Sequence, residues 1–488
     1  MTINPGSGVA TAHGAGALAD HGADSESGVV ADYVDAHADD AFLGEDGLVG
    51  WMRIPSISAD PAYAGDVQAS AEWLVRALRR AGFPTVEIVA TAGLPAVYAE
   101  WPAADPDAPT VLLYGHHDVQ PVDPLELWHS PPFEPEVRGE ELFGRGAVDD
   151  KGQVIVHLLG VAAHLHATGR EAPAVSLKVL VEGEEESGSP NFAPLLRTHA
   201  DRFRCDVVVV SDTSVFARDT PSLCTGMRGL VECQVDLRGP DVDLHSGSFG
   251  GGVPNPVAAL ARLIAALHDA DGKVTIPGFY DRVVALSDRE RELFAKLPFD
   301  TDAWVSGPAR SLAAAGEAGF TTPERLWARP TAEINGIWGG YAGPGGKTII
   351  PSEAHAKVSF RLVVDQRPDD VVDAFGAWVE AHTEPGIVAT VHRNGPGVRP
   401  CLTPLDDPAL RAATRAMERA FGGEILYTRE GGSGPEADLA SILEVPVIFM
   451  GFGLPDDRIH APNERVVLPM LRAGAKAAAY LWEELARR

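Results

Sequence analysis

The chain has 488 residues, 45% of them hydrophobic and 22% charged, which is ordinary for a soluble globular protein but too long for one simple core, so two domains are expected. Asp and Glu number 69 against 40 Lys and Arg, a net charge of −29 that repels phosphate backbones and anionic lipid surfaces and argues against nucleic acid or membrane as a partner. The acidic residues are scattered rather than gathered in a tail, and no run of about eighteen apolar residues offers a spanning helix.

In chain order, residues 1–27 are small, Gly-rich and unperiodic, without the basic start and apolar centre of a secretory signal, and read as a flexible tail. A first segment of the larger domain is expected over 28–218. It contains an amphipathic helix in AEWLVRALRRAGF (71–83) and a buried strand in TVLLYG (110–115) that runs into His116, His117 and Asp118. GRGAVDDKG (144–152) puts Asp149 and Asp150 ahead of a helical run over 151–169. One Asp there would serve as a cap, and the second asks for another role. The strand AVSLKVLVEG (174–183) runs into Glu184, Glu185 and Glu186, and CDVVVVSD (205–212) ends at Asp212.

Between 219 and 400 the pattern changes. VECQVDLRG (231–239) and HAKVSFRLVV (355–364) alternate like strands buried on one face, while NPVAALARLIAALHD and DDVVDAFGAWVEAH are amphipathic helices. GPGGKT (343–348) looks like the end of a phosphate loop, but Tyr341 occupies the first glycine position and strand-like TIIPSE follows, so that reading fails. The first pattern resumes over 401–488 with the strand VPVIFMGFG (445–453), then His460, then a C-terminal helix over 471–488. The small α+β layer is therefore an insertion in a larger domain. Cys205, Cys224, Cys233 and Cys401 have neither CxxC spacing nor disulfide density, which fits a reducing cytoplasm and excludes thiolate metal ligation.

Strands interleaved with helices indicate an α/β layer with a mostly parallel sheet. In such a sheet the strand carboxyl ends share one edge, where ligands bind, so four exits deliver His, Glu, Asp and His to one rim. Imidazole and carboxylate donors suit zinc, with manganese or cobalt as alternatives. A two-metal hydrolase needs one bridging carboxylate, terminal ligands on each ion and a free carboxylate for the proton of the attacking water. Two divalent ions, three ligating carboxylates and one hydroxide would leave the cluster neutral. Taken singly, HxD also reads as a solvated turn, EEE as an exposed acidic face and SD as a helix cap; their coincidence at strand ends favours the metal site.

Together GHHDVQP, GRGAVDDKG, EGEEESGS, VVSD, DLHSGSFGG and REGGSGP, in this order over roughly residues 30–488, resemble the two-zinc metallopeptidases that include carnosinase-type dipeptidases, aminoacylases and succinyl-diaminopimelate desuccinylase. GHHDVQP, EESGS, HSGSFGG and INGIWGGY bring it closest to the dipeptidase branch. The resemblance implies a zinc-exopeptidase-like catalytic domain with an inserted ferredoxin-like α+β domain over 219–400 that serves as lid and homodimer contact. It implies that His116 rather than His117 is a ligand oriented by Asp118, that Asp149 bridges two ions with a cis peptide to Asp150, that Glu186 and His460 complete one ion and Asp212 the other, and that Glu185 is the general base. His245 would stabilise the oxyanion, in its own site or the partner subunit's, and Arg361 would grip the substrate's carboxylate. Arg429 and Ser433 are further substrate-contact candidates. Arg361 also reads as a solvent-face residue, His245 as a turn cap and the glycines at 431, 432 and 434 as a tight loop. The expected activity is dipeptide hydrolysis, with an N-acyl or N-carbamoyl amino acid amidohydrolase as the alternative and a metal-free binding protein as a rival of another class.

Overall fold

Four valines in succession, Val207–Val210, are wholly buried because the strand they form is covered on both sides. The computed structural model describes residues 21–487. Its large sheet is built from β1 (Thr85–Val89), β2 (Ala96–Trp101), β3 (Thr110–His116), β4 (Ser176–Glu182), β5 (Val207–Val210) and β6 (Ser222–Met227), with three later strands described below. Val207 and Val209 join the core on one face, while Val208 and Val210 join the core on the other. Val111 and Leu113 of β3 share the first face and Leu112 and Tyr114 the second. Full burial of each such side chain contributes about 1.5–3 kcal/mol at most, which is why these segments read as continuous apolar runs.

A single residue, Arg228, separates β6 from β7 (Gly229–Arg238), the first strand of a second sheet. That sheet adds β8 (Thr331–Gly339), β9 (Glu353–Leu362) and β10 (Val388–Val398) in the antiparallel order β8-β9-β7-β10. The chain then re-enters the large sheet through β11 (Cys401–Leu402), β12 (Leu426–Glu430) and β13 (Val447–Phe449). The order there is β1-β2-β4-β3-β5-β13-β6-β11, with β12 beside β6. The sheet is mixed rather than mostly parallel. The four central strands β4, β3, β5 and β13 are parallel to their neighbours in that group, but β2 is antiparallel to both β1 and β4, and β6 to both β13 and β11. The short connection from Val89 to Ala96 allows only an antiparallel pair.

The principal helices are α1 (His21–Leu43), α2 (Ala64–Arg80), α3 (Lys151–Thr168), α4 (Pro256–Ala266), α5 (Asp288–Lys296), α6 (Pro368–His382), α7 (Pro408–Phe421), α8 (Glu436–Leu443) and α9 (Leu468–Ala486). Helices α1, α3, α7 and α9 share the core on one face of the large sheet. Gly160 of α3 lets α9 approach, since a Cβ there would lie 2.6 Å from the Ala478 Cβ. α1 begins at His21, inside the stretch expected to be tail, and residues 1–20 lie outside the described residues.

In the second sheet Val231, Cys233, Val235 and Leu237 are buried while their neighbours are not, and α4 and α6 cover that one face. The order β7-α4-β8-β9-α6-β10 is ferredoxin-like. The insertion starts at Arg228 rather than at Asp219, because SLCTGM pairs within the large sheet as β6.

Candidate metal centre

The parallel strands β4, β3, β5 and β13 end at Glu182, His116, Val210 and Phe449, so their exits line one rim. β3 itself carries His116 to its last position, with its Nε2 2.9 Å from Asp149 Oδ1 and 3.4 Å from Asp212 Oδ2. Asp149 Oδ2 lies 3.0 Å from His460 Nε2, which is in turn 3.1 Å from Glu186 Oε2. Asp149 is thus shared: one oxygen meets His116, which Asp212 also approaches, and the other meets His460, which Glu186 also approaches. One donor atom each from His116, Asp149 and Glu186 lie within 4.8 Å of one another.

These positions are enforced by backbone and polar contacts. Asp149 and Asp150 precede α3, and their peptide is cis, as the resemblance implies. Asp150 does not cap the helix with its side chain; its Oδ2 accepts from the His116 amide at 3.2 Å. Asp118 Oδ1 lies 3.4 Å from His116 Nδ1, while the same carboxylate accepts the amides of Glu185 at 3.3 Å and Glu186 at 3.0 Å. Asp118 therefore holds the Glu185–Glu186 turn as well as the imidazole. His117 is turned away, its Nε2 3.0 Å from the Pro95 carbonyl, and burial lowers its pKa to about 4.

The charges in the cluster perturb one another strongly. Burial opposes charge on His116, yet Asp212, Asp118 and Asp149 outweigh it and hold its pKa well above the ordinary value. Hydrogen bonds to Asp149 and Glu186 raise His460 to about 10. Burial and then Asp149 raise Glu186 to about 7, and burial raises Glu185 well above the carboxylate range. Such an acid-rich pocket calls for compensating positive charge. Glu186 Oε1 is buried without a hydrogen-bond partner, an oxygen available to a cation, and the imidazole and carboxylate donors fit a divalent metal.

Three residues to which the motifs assign no role support the cluster. Gln120 Nε2 donates to Glu186 Oε2 at 2.7 Å. Glu464 and Arg145 form a buried pair beneath Asp149. Gln120 sits two positions after Asp118, but nothing in composition or spacing marks Glu464, whose partners are 315 to 319 residues away.

Beyond the cluster, Arg361 in β9 donates through Nη1 to Ser433 Oγ at 2.9 Å, and that hydroxyl donates to the Arg228 carbonyl at 2.6 Å. Arg228 Nε holds the Gly431 carbonyl at 3.2 Å. This joins the inserted sheet to the glycine loop that follows β12. Arg361 is partly buried and makes no ion pair among the described residues, though Glu232 and Glu430 lie near enough to act on its charge. Arg429 does not join this group: it is paired with Glu290 of α5 and packs over Phe294. His245 is exposed, and its Nδ1 accepts from the Gly247 amide at 3.0 Å, the contact of a turn cap.

Residues 112–484 match the family described as Peptidase family M20/M25/M40. The chain is 32% identical over 437 residues to the Cys-Gly metallodipeptidase DUG1 of Candida albicans, covering 85% of this chain and 89% of that protein. It is 33% identical over 407 residues to the human Beta-Ala-His dipeptidase, covering 80% and 78%. Among solved structures, the dipeptidase Dug1p of Saccharomyces cerevisiae superimposes with a TM-score of 0.75 at 26% identity, over 95% of this chain and 99% of that one. Human carnosine dipeptidase 1 does so with a TM-score of 0.73 at 30% identity, over 95% and 99%. The acid-rich cluster at the strand ends is thus a candidate metal site in a metallo-hydrolase, and the chain belongs to peptidase family M20/M25/M40.

Proposed function

We propose that the protein hydrolyses the amide bond of dipeptides or similar small peptides with two metal ions held at the strand-end cluster. The observation that carries this is Asp149, whose two oxygens address two different sets of donors. His116 and Asp212 would hold one ion, Glu186 and His460 the other, and Asp149 both. Zn2+ is the ion the donor set favours, with Mn2+ or Co2+ as alternatives. Bound metal would lower the pKa of water to about 7 and polarise the scissile carbonyl.

Glu185 is the general base in this reading. It adjoins Glu186 in sequence, its burial gives it an elevated pKa, and Asp118 fixes its backbone. It takes the proton from the attacking water and later gives it to the leaving amine. Arg361, oriented by Ser433, receives the substrate's terminal carboxylate. Arg429 has no part, since Glu290 already engages it.

His245 acts on the oxyanion from a second copy of the chain. Its exposed position on the inserted domain supports this, as do the exposed Ile337 and Trp338 on the edge strand β8, which offer a homodimer contact. No helix among the described residues is long and apolar enough to cross a membrane, and the four cysteines are free; a cytoplasmic location is the reading these features support. A panel of dipeptides against N-acetyl and N-carbamoyl amino acids, run with each metal, tests the substrate class. Faster turnover of either acyl series would overturn the dipeptidase reading.

A further inference from the structure

The carboxylate of Glu464 is wholly buried, yet all its partners come from a distant part of the chain. Its Oε1 accepts from the amides of Val148 at 3.0 Å and Asp149 at 3.2 Å; its Oε2 accepts from the Gly146 amide at 3.0 Å and from Arg145 Nη1 at 2.8 Å. The Glu464 carbonyl also accepts from the Gly144 amide at 3.0 Å. Glu464 follows His460 by four residues, so a single side chain fastens the loop bearing His460 onto the loop bearing Asp149. Arg145, equally buried, extends the connection: its Nη2 donates to the Pro121 carbonyl at 3.0 Å, on the segment leading out of His116 and Asp118. The neighbouring Asn463 accepts from the His129 amide at 2.7 Å and donates to the Leu127 carbonyl at 2.8 Å, pinning the same segment further along.

The turn between His460 and Glu464 has little regular structure to hold it. His460 and Asn463 both have positive φ, at 60° and 64°, conformations that non-glycine residues keep only when their surroundings impose them. A charged pair of this kind is weak evidence for stability, because two ions must leave water to form it. Its geometry is better explained by position: three of its acceptor bonds go to backbone amides of the loop that ends in the shared aspartate, including that residue's own amide.

We infer that the Glu464–Arg145 pair is the positioning element that sets Asp149 against His460, and thereby the spacing of the two metal positions. Neither residue touches substrate or metal. The inference rests on the dinuclear reading above. It requires that loss of the pair weaken metal binding beyond any loss of fold, since groups that orient ligands without contacting the ion typically alter metal affinity 10- to 100-fold.

The test uses the full-length protein, with Zn2+ competed against a chromogenic chelator and thermal melts recorded with and without Zn2+. Glu464→Gln keeps the side chain's shape but turns one acceptor into a donor facing backbone amides. It should weaken Zn2+ binding by about 10- to 100-fold and shrink the gain in Tm that Zn2+ produces. A folded Glu464→Gln that binds Zn2+ as the wild type does, with an undiminished Zn2+-induced gain, would overturn the inference even if both of its melts were lower. Arg145→Lys keeps the charge but cannot reach Glu464 and the Pro121 carbonyl together; it should show the same effect in smaller measure, and it decides the matter by the same readout if Glu464→Gln does not fold. A wild type that binds no Zn2+, Mn2+ or Co2+ would instead remove the dinuclear reading itself.

Discussion

Replacing Arg361 by Met removes a guanidinium that has Ser433 as its hydrogen-bonded side-chain partner at 2.9 Å and makes no ion pair among the described residues, although Glu232 and Glu430 lie near enough to act on its charge. A substrate carboxylate 4 Å from this group would gain about 4 kcal/mol of Coulomb energy at an effective dielectric near 20. Part of that is already supplied to both groups by water before binding, so the net contribution is that of a hydrogen bond to a charged group, about 1.5–3 kcal/mol. Arg361→Met should therefore lower kcat/KM about 10- to 150-fold for a dipeptide with a free carboxylate. The assay pairs each dipeptide with its C-terminal amide, which lacks the charge that Arg361 would receive. The amide should lose little, so the wild type's preference for the free acid should collapse in the variant. Equal losses on acid and amide, with metal content unchanged, would refute the carboxylate-binding role, as would no loss on either.

Glu185→Gln should retain bound metal while turnover falls about 10²- to 10⁴-fold; metal analysis beside a rate measurement checks both halves, and persistent turnover would exclude Glu185 as the base. Removing metal with a chelator should lower stability by about 5 kcal/mol if each of two ions is present at about 100 times its Kd, a fall in Tm of about 5 °C for a chain of this length; an unchanged melt would contradict the proposed site. If His245 serves the partner subunit, an equimolar mixture of His245→Ala and Glu185→Gln, exchanged to equilibrium, should recover up to about a quarter of wild-type activity, since random pairing leaves half the dimers mixed with one intact site each. No recovery would assign His245 to its own site. His157 and His164 in α3 are held neutral by burial, each lowered to about 4, and His164 accepts the Ala174 amide. The unfolded chain takes up protons near pH 6.5 that the folded one refuses, so the stability they supply is whole above that pH and falls as the pH drops toward 4. At pH 5 each costs about 2 kcal/mol. Urea melts should show His164→Leu losing less stability than the wild type between pH 7.5 and 5; a wild type with the same loss would exclude this origin.

The parallel centre of the large sheet is legible because its strands are buried on both faces and so read as apolar runs, with chemistry beginning where each run stops at His116, Glu184, Asp212 or the loop to His460. The inserted layer is legible through its change of period, visible in the alternation from Val231 to Leu237. The antiparallel margins are not, because β6 is short, mixes Ser222 and Thr225 with its apolar residues and carries no mark of the neighbours it chooses. Asp118 shows the same limit at the level of a side chain. Its proximity to His116 follows from spacing, whereas its hold on the amides of Glu185 and Glu186 depends on two strands lying side by side. Glu464 lies further still from inference, since a glutamate after an asparagine in a loop looks like any solvated acid until the fold buries it.

The two joints of the inserted layer adjoin each other: a Cβ on Gly229 would lie 2.5 Å from the Val398 carbonyl oxygen and 2.7 Å from the Pro400 nitrogen. Departing and returning chain segments thus share one narrow neck. Growth or drift within that module changes the length of a closed excursion, at a cost that rises only slowly with length, and leaves the strand pairing beneath the catalytic groups undisturbed. The long detour from α4 through α5 to β8 lengthens that excursion, and α5 within it returns to the large sheet, where Glu290 pairs with Arg429 of β12. Evolution can reshape the inserted layer while the residues of the candidate metal centre stay in register.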